Sequence, residues 1–163
     1  MNKKWIYPLS AIILGLIVFF FYNRYRVAPS IDFNKISLVN MNQEEVPFAA
    51  FNGKKKIVCF SASWCPNCLH ELKEINDIKV SDLNDVEVIV ISDEAIEKIK
   101  AFKDKKQYSF TFLKMKQAFS EVGINSIPTS YLVNGRQEVK KETVGYIDWK
   151  DASALAHMKK LLE

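Results

Sequence analysis

Ser63-Trp64-Cys65-Pro66-Asn67-Cys68 decides how this chain is read. It lies between an apolar run, Ile57-Val58-Cys59-Phe60, and a helix-like pattern of Leu69, Leu72 and Ile75 interleaved with Glu71, Lys73 and Glu74. Pro66 suits the first helical position, where a missing N–H costs nothing. The helix then opens between Cys65 and Cys68. Its free N–H groups and partial positive charge stabilise a thiolate. Cys65 is expected to be the exposed nucleophile, and Cys68, one turn in, the more buried thiol that resolves a mixed disulfide. Half a zinc site and two inert buried thiols are the bland alternatives. Zinc takes four ligands, no second Cys-x-x-Cys exists, and His70 and His157 are not at ligand spacing. No metal site is expected. The strand-motif-helix context favours redox chemistry.

Charge is unevenly placed. Of the formal +4, Lys3, Lys4, Arg24 and Arg26 account for all, because residues 1–26 hold no acid and the remainder balances nineteen basic against nineteen acidic residues. No basic face for nucleic acid is implied. Trp5 to Tyr22 carries no charge, and a helix of that length spans ~27 Å, near the thickness of a hydrocarbon core. Trp5, Tyr7, Tyr22 and Tyr25 suit the two interfaces. A cleaved signal peptide is the competing reading, but Tyr22-Asn23-Arg24-Tyr25-Arg26 follows where a small-x-small site would stand. Residues 1–26 are expected to form an uncleaved single-pass membrane anchor, 27–35 a linker, and 36–163 one catalytic domain.

Within that domain Ile36 to Val39 and Glu45 to Phe48 read as a hairpin with Pro47 on an edge. Ile57 to Phe60 and Val86 to Ile91 are continuous apolar runs, as in a sheet covered on both faces. Ser92-Asp93 reads as the cap of a helix through Ile96, Ile99 and Phe102. A short strand is expected at Tyr108 to Phe112, then an amphipathic helix through Met115, Ala118, Phe119 and Val122, stopped by Gly123. Ser130 to Val133 and Val139 to Tyr146 flank Asn134-Gly135, a hairpin signal. Asp148 is expected to cap a last helix through Ala152, Leu155, Met158 and Leu162. The order is hairpin, then β-α-β-α-β-α-β-β-α, without internal repeat or low-complexity segment.

Trp64-Cys65-x-x-Cys68 opening a helix, with Ile127-Pro128-Thr129 about 60 residues later before a hairpin and a final helix, resembles thioredoxin-like proteins. More narrowly, the chain resembles the membrane-anchored TlpA/ResA group of thiol-disulfide oxidoreductases over roughly residues 30–163. Gly123-Ile124-Asn125-Ser126 and Gly145 add to the likeness, as does the extra strand-helix unit around Val86 to Lys106. The resemblance implies an α/β three-layer sandwich with an N-terminal β-hairpin and an inserted strand-helix unit, preceded by one transmembrane helix. It implies that the bond before Pro128 is cis, that Trp64, Ile127, Pro128 and Thr129 border the substrate, and that Glu71 tunes the cysteines. An exposed helix-surface acid is the plain alternative for Glu71.

Three positions depart from the group: Pro66-Asn67 between the cysteines, Lys73 where relatives often carry a proline, and Cys59 where ordinary thioredoxins bury an acid. Cys59 reads either as a small core residue or as a third thiol able to exchange with Cys68.

The expected function is reduction of disulfides in extracytoplasmic proteins at a bacterial inner membrane, with cytochrome c maturation as one setting. No cofactor is expected. The partners implied are disulfide-containing protein substrates and a membrane thiol-electron donor. Rival readings are a peroxidase of the same fold, a copper-delivery module and a non-catalytic binding domain. The peroxidase loop Pro-x-x-x-Thr/Ser-x-x-Cys is absent around Cys59 and Cys65, and a copper module would space its cysteines by three residues and add a histidine.

Overall fold

The computed structural model describes residues 13–16 and 31–163. The expected anchor over 1–26 and residues 27–30 of the linker fall outside these, apart from one helical turn at 13–16. Among the described residues no helix is long and apolar enough to cross a membrane.

The described residues build one six-stranded sheet. Its strands are β1 (Leu38–Val39), β2 (Lys55–Phe60), β3 (Val86–Ser92), β4 (Thr111–Met115), β5 (Thr129–Val133) and β6 (Val139–Val144). In space they run β1-β4-β3-β2-β5-β6. β2, β3 and β4 are parallel, while β1 and the β5–β6 pair join antiparallel at either side. Three helices follow the pattern: α1 (Pro66–Lys79), α2 (Ile96–Lys106) and α3 (Ala152–Leu161).

Two cores follow from the two-residue period of the strands. Ile57 and Cys59 of β2 point to the helical face, where Val88, Val90 and Leu132 meet Leu72 and Ile75 of α1, Ile99 of α2 and Met158 of α3. Val58 and Phe60 point the other way, toward Ile89, Ile91, Leu113 and Tyr131. β2 is thus buried on both sides, as its unbroken apolar run predicts. Each such fully buried side chain contributes about 1.5–3 kcal/mol.

The second face is covered differently from expectation. Three short 3₁₀ turns lie there, Phe33–Lys35, Phe48–Phe51 and Phe119–Val122, the last in place of the amphipathic helix expected through Met115 and Val122. Phe33 stacks on Phe48 at 4.2 Å and meets Tyr131 edge-on at 5.5 Å. Ile31 and Phe33 are core residues, so the packed domain includes positions read as linker.

Other boundaries also moved. The Glu45–Phe48 strand reduces to a single bridge from Glu45 to Val39, because the chain turns into 3₁₀ geometry after Pro47. The helix expected from Met115 is instead the end of β4 followed by a turn; Met115 pairs with Leu38 and is fully buried in the sheet. Gly123 does stop that turn, at φ 83°. Ser92 and Asp93 do not cap α2, whose N-cap is Ala95. Their acceptors are engaged by the Glu94 and Phe119 amides. The β5–β6 connection spans residues 134–138, with Gln137 rather than Gly135 taking the positive φ (67°). The Asn134 side chain holds this loop by accepting from the Arg136 and Glu138 amides. Asp151, not Asp148, caps α3 through the Ala154 amide at 2.7 Å.

Candidate active site

Cys65 is the N-cap of α1, and Pro66 is its first residue. Cys65 and Cys68 are joined as a disulfide with their Cα atoms 5.3 Å apart. The Cys68 amide donates to Cys65 Sγ at 3.3 Å. A sulfur therefore occupies the place where a capping oxygen usually sits. That amide and the helix dipole both favour negative charge on Cys65 once the disulfide is reduced. Cys65 keeps 5% exposure and Cys68 none, so both sulfurs are largely covered, with Cys65 the outer one.

What covers Cys65 is the loop before β5. The Ile127–Pro128 bond is cis. The Ile127 carbonyl oxygen lies 3.9 Å from Cys65 Sγ. Thr129 is buried and donates its hydroxyl to Ser126 O at 2.7 Å, tightening the same loop. Trp64 is 69% exposed beside the disulfide, a large apolar surface next to the outer sulfur.

Glu71 points inward. It is 1% exposed, and the Ser130 hydroxyl donates to its Oε1 at 2.7 Å. Oε2 is buried and makes no close hydrogen bond among the described residues. Burial holds this carboxyl above the usual carboxylate range. The Ser130 hydroxyl, the Trp149 indole and the Ile147 backbone oppose that effect, while the Glu74 charge adds to it. Cys59 faces Ser130 across the β2–β5 register and is fully buried. Its thiol is pushed well up, first by burial and then by Glu71, against a smaller opposing effect from Ser130. Cys59 is therefore a protonated core thiol under ordinary conditions.

Sequence reasoning missed two further carboxylates. Glu94 grips the loop before the cysteines: Ser63 donates its amide to Oε2 at 2.7 Å and its hydroxyl to Oε1 at 2.8 Å. Glu74, one turn beyond Glu71, is 5% exposed and accepts from the Tyr146 hydroxyl at 2.7 Å and the Trp149 amide at 3.2 Å. The signal for Glu74 was its place between Leu72 and Ile75 on the helix face that packs on the sheet. Lys73, by contrast, points outward and pairs with Asp77. Among the described residues no three His, Cys, Asp or Glu side chains converge as metal ligands.

A dithiol whose outer sulfur is activated by a helix N-terminus, with the Ile127 carbonyl beside it, is chemically equipped for thiol-disulfide exchange. Comparison with known proteins places this geometry in a family. The family model described as "AhpC/TSA family" matches residues 27–142. An uncharacterized protein of Haemophilus influenzae is 38% identical over 56 residues, which are 34% of this chain and 36% of that protein. The match thus spans about a third of that relative's length.

Among solved structures, one from Chlorobium tepidum named as a thiol:disulfide interchange protein DsbE superposes with a TM-score of 0.68 at 18% identity. It covers 82% of this chain and 97% of that one. A structure named as a protein disulfide isomerase of Bacteroides thetaiotaomicron gives a TM-score of 0.63 at 23% identity, covering 81% and 91%. These likenesses show a thioredoxin-like fold. With more than half its length matched by the family model, the chain belongs to the AhpC/TSA family.

Proposed function

We propose that this protein is a membrane-tethered thiol-disulfide oxidoreductase of the TlpA/ResA type that reduces disulfides of extracytoplasmic proteins. The observation that carries this reading is the Cys65–Cys68 disulfide at the N-terminus of α1, covered by the cis Ile127–Pro128 peptide. Cys65 thiolate attacks a substrate disulfide, forming a mixed disulfide and expelling one substrate thiolate. Cys68 thiolate then attacks Cys65 Sγ, closing the intramolecular disulfide and expelling the second. Two electrons pass to the substrate, whose two thiolates take up protons. A membrane thiol-electron carrier would restore the dithiol. The names of the structural neighbours, an interchange protein and a disulfide isomerase, support the same chemistry.

Trp64 and Ile127 form the substrate border in this reading, and the buried Pro128 and Thr129 hold that border in place from behind. Glu71 acts on the cysteines through its buried charge and is a positioning residue rather than a reacting one. The uncharged stretch Trp5 to Tyr22 supports tethering, and a cytochrome c apoprotein disulfide is one substrate such an enzyme would meet. Insulin-disulfide reduction by the pre-reduced chain tests the activity. Peroxide consumption or stoichiometric copper binding, with insulin left intact, would favour the rival readings instead.

A further inference from the structure

Residues 145–149 form a strap between the two halves of the site. At one end the Gly145 amide donates to the Pro128 carbonyl at 2.7 Å, with Gly145 at φ 94°. At the other end Trp149 is fully buried against α1. Glu74 fastens that end. Its Oε2 accepts both the Tyr146 hydroxyl and the Trp149 amide, while His70 Nε2 lies 3.5 Å from Oε1. The His70 and Tyr146 rings pack with centroids 5.1 Å apart over this junction.

A buried carboxylate holding a hydroxyl and a backbone amide makes charge-assisted bonds, stronger than those between neutral groups. Exposed ion pairs such as Lys73–Asp77 contribute far less. The helix that carries the redox cysteines is thus tied, two turns on, to the loop that braces the cis-proline edge.

We infer that Glu74 is a positioning residue for protein substrates: by fastening the 145–149 strap to α1 it fixes the Pro128 edge relative to Cys65. The inference rests on the oxidoreductase reading above and deepens it. An extended polypeptide disulfide must meet both the sulfur and the backbone edge, so it is sensitive to their relative placement. A small disulfide needs only the sulfur.

The test uses the full chain in detergent, pre-reduced, and measures second-order rate constants with insulin and with 5,5′-dithiobis(2-nitrobenzoate). The ratio of the two constants is the readout, taken on chains whose near-ultraviolet circular dichroism matches the wild type, because unfolded chain exposes Cys59 and still reacts with the small disulfide. Glu74→Ala is expected to lower the insulin-to-small-disulfide ratio about fivefold or more. Tyr146→Phe, which deletes one hydroxyl, should lower it about two- to threefold. Glu74→Gln keeps an oxygen acceptor and should restore most of the ratio. A wild-type ratio in both Glu74→Ala and Tyr146→Phe overturns the inference, as does a Glu74→Gln loss equal to that of Glu74→Ala. A wild-type chain that reduces neither disulfide overturns the oxidoreductase reading itself, and the inference with it.

Discussion

Ser130 Oγ donates to Glu71 Oε1 at 2.7 Å, joining the strand after the cis-proline to the helix that carries both cysteines. Ser130 also stands opposite Cys59 in the register of β2 and β5. A carboxyl, a hydroxyl and a core thiol thus share one buried place beneath the redox motif. Among the described residues only one of the two carboxyl oxygens makes a close hydrogen bond, and burial outweighs the help that the Trp149 indole and the Ile147 backbone give its charge. The charged form of Glu71 is therefore under-solvated, and that has a measurable consequence.

A carboxyl held above its ordinary 4.5 binds a proton more tightly in the folded chain than in the unfolded one. Its favourable contribution is complete below pH 4.5 and is lost as pH rises through the folded value. Glu71→Gln, which cannot ionise, should stabilise the oxidised protein at pH 8 by about 1–3 kcal/mol, the cost of a buried unsatisfied polar group. The gain should vanish below pH 4. Urea unfolding of both proteins across this range checks it; equal stability at pH 8 would contradict the buried-charge account.

Cys59 should stay unreactive in the native protein. Burial and the Glu71 charge both disfavour its thiolate, and the thiolate is the species that alkylates. Iodoacetamide at pH 8 should label Cys65 of the reduced chain first, Cys68 more slowly, and reach Cys59 only after denaturation. Peptide mass spectrometry reads this directly. Native labelling of Cys59 on the timescale of Cys68 would revive the third-thiol reading.

Glu94 should matter to the cysteine loop although it touches neither sulfur. Glu94→Ala leaves the Ser63 amide and hydroxyl without their acceptors, which should cost about 1–3 kcal/mol of stability. Glu94→Gln retains one acceptor oxygen and should lose less. Chemical denaturation of the two variants measures the difference; equal losses would mean that charge, not the acceptor pair, holds the loop.

Chemistry was legible in the sequence where it is written locally. Cys65, Pro66 and Cys68 lie within one helical turn, and the adjoining β2 is a continuous apolar run, so strand, turn and helix all point to the same arrangement. What the sequence hides is nonlocal. Ser130 reaches Glu71 across 59 positions, and Tyr146 reaches Glu74 across 72. No periodicity announces such a pair. The Met115–Val122 helix was misread because Met115, Phe119 and Val122 also serve a strand end and a 3₁₀ turn, and short apolar patterns do not distinguish these. Nothing in the run Lys54-Lys55-Lys56 marks its last lysine as a core residue, yet Lys56 is fully buried.

Lys56 gives a prediction of opposite sign from Glu71. Its ammonium donates to the Phe51 and Lys54 carbonyls at 2.9 and 2.8 Å and has no carboxylate partner among the described residues. Burial, aided by the Lys54 charge, pushes it down to about 8 from the ordinary 10.5. Between those values the unfolded chain holds the proton that the folded chain has shed, so stability rises with pH. Relative to Lys56→Met, the wild type should gain about 3 kcal/mol from pH 8 to pH 10.5. Parallel pH profiles would show instead that the ammonium is as well solvated as in the unfolded chain.

The central claim is that Cys65 attacks and Cys68 resolves. Reduced Cys68→Ser and reduced Cys65→Ser chains are each mixed with insulin, quenched with acid, and weighed intact. The account predicts that Cys68→Ser accumulates a near-stoichiometric mixed disulfide mapped to Cys65, while Cys65→Ser accumulates none within the same minutes. Capture of insulin by Cys65→Ser through Cys68, with none by Cys68→Ser, would contradict it.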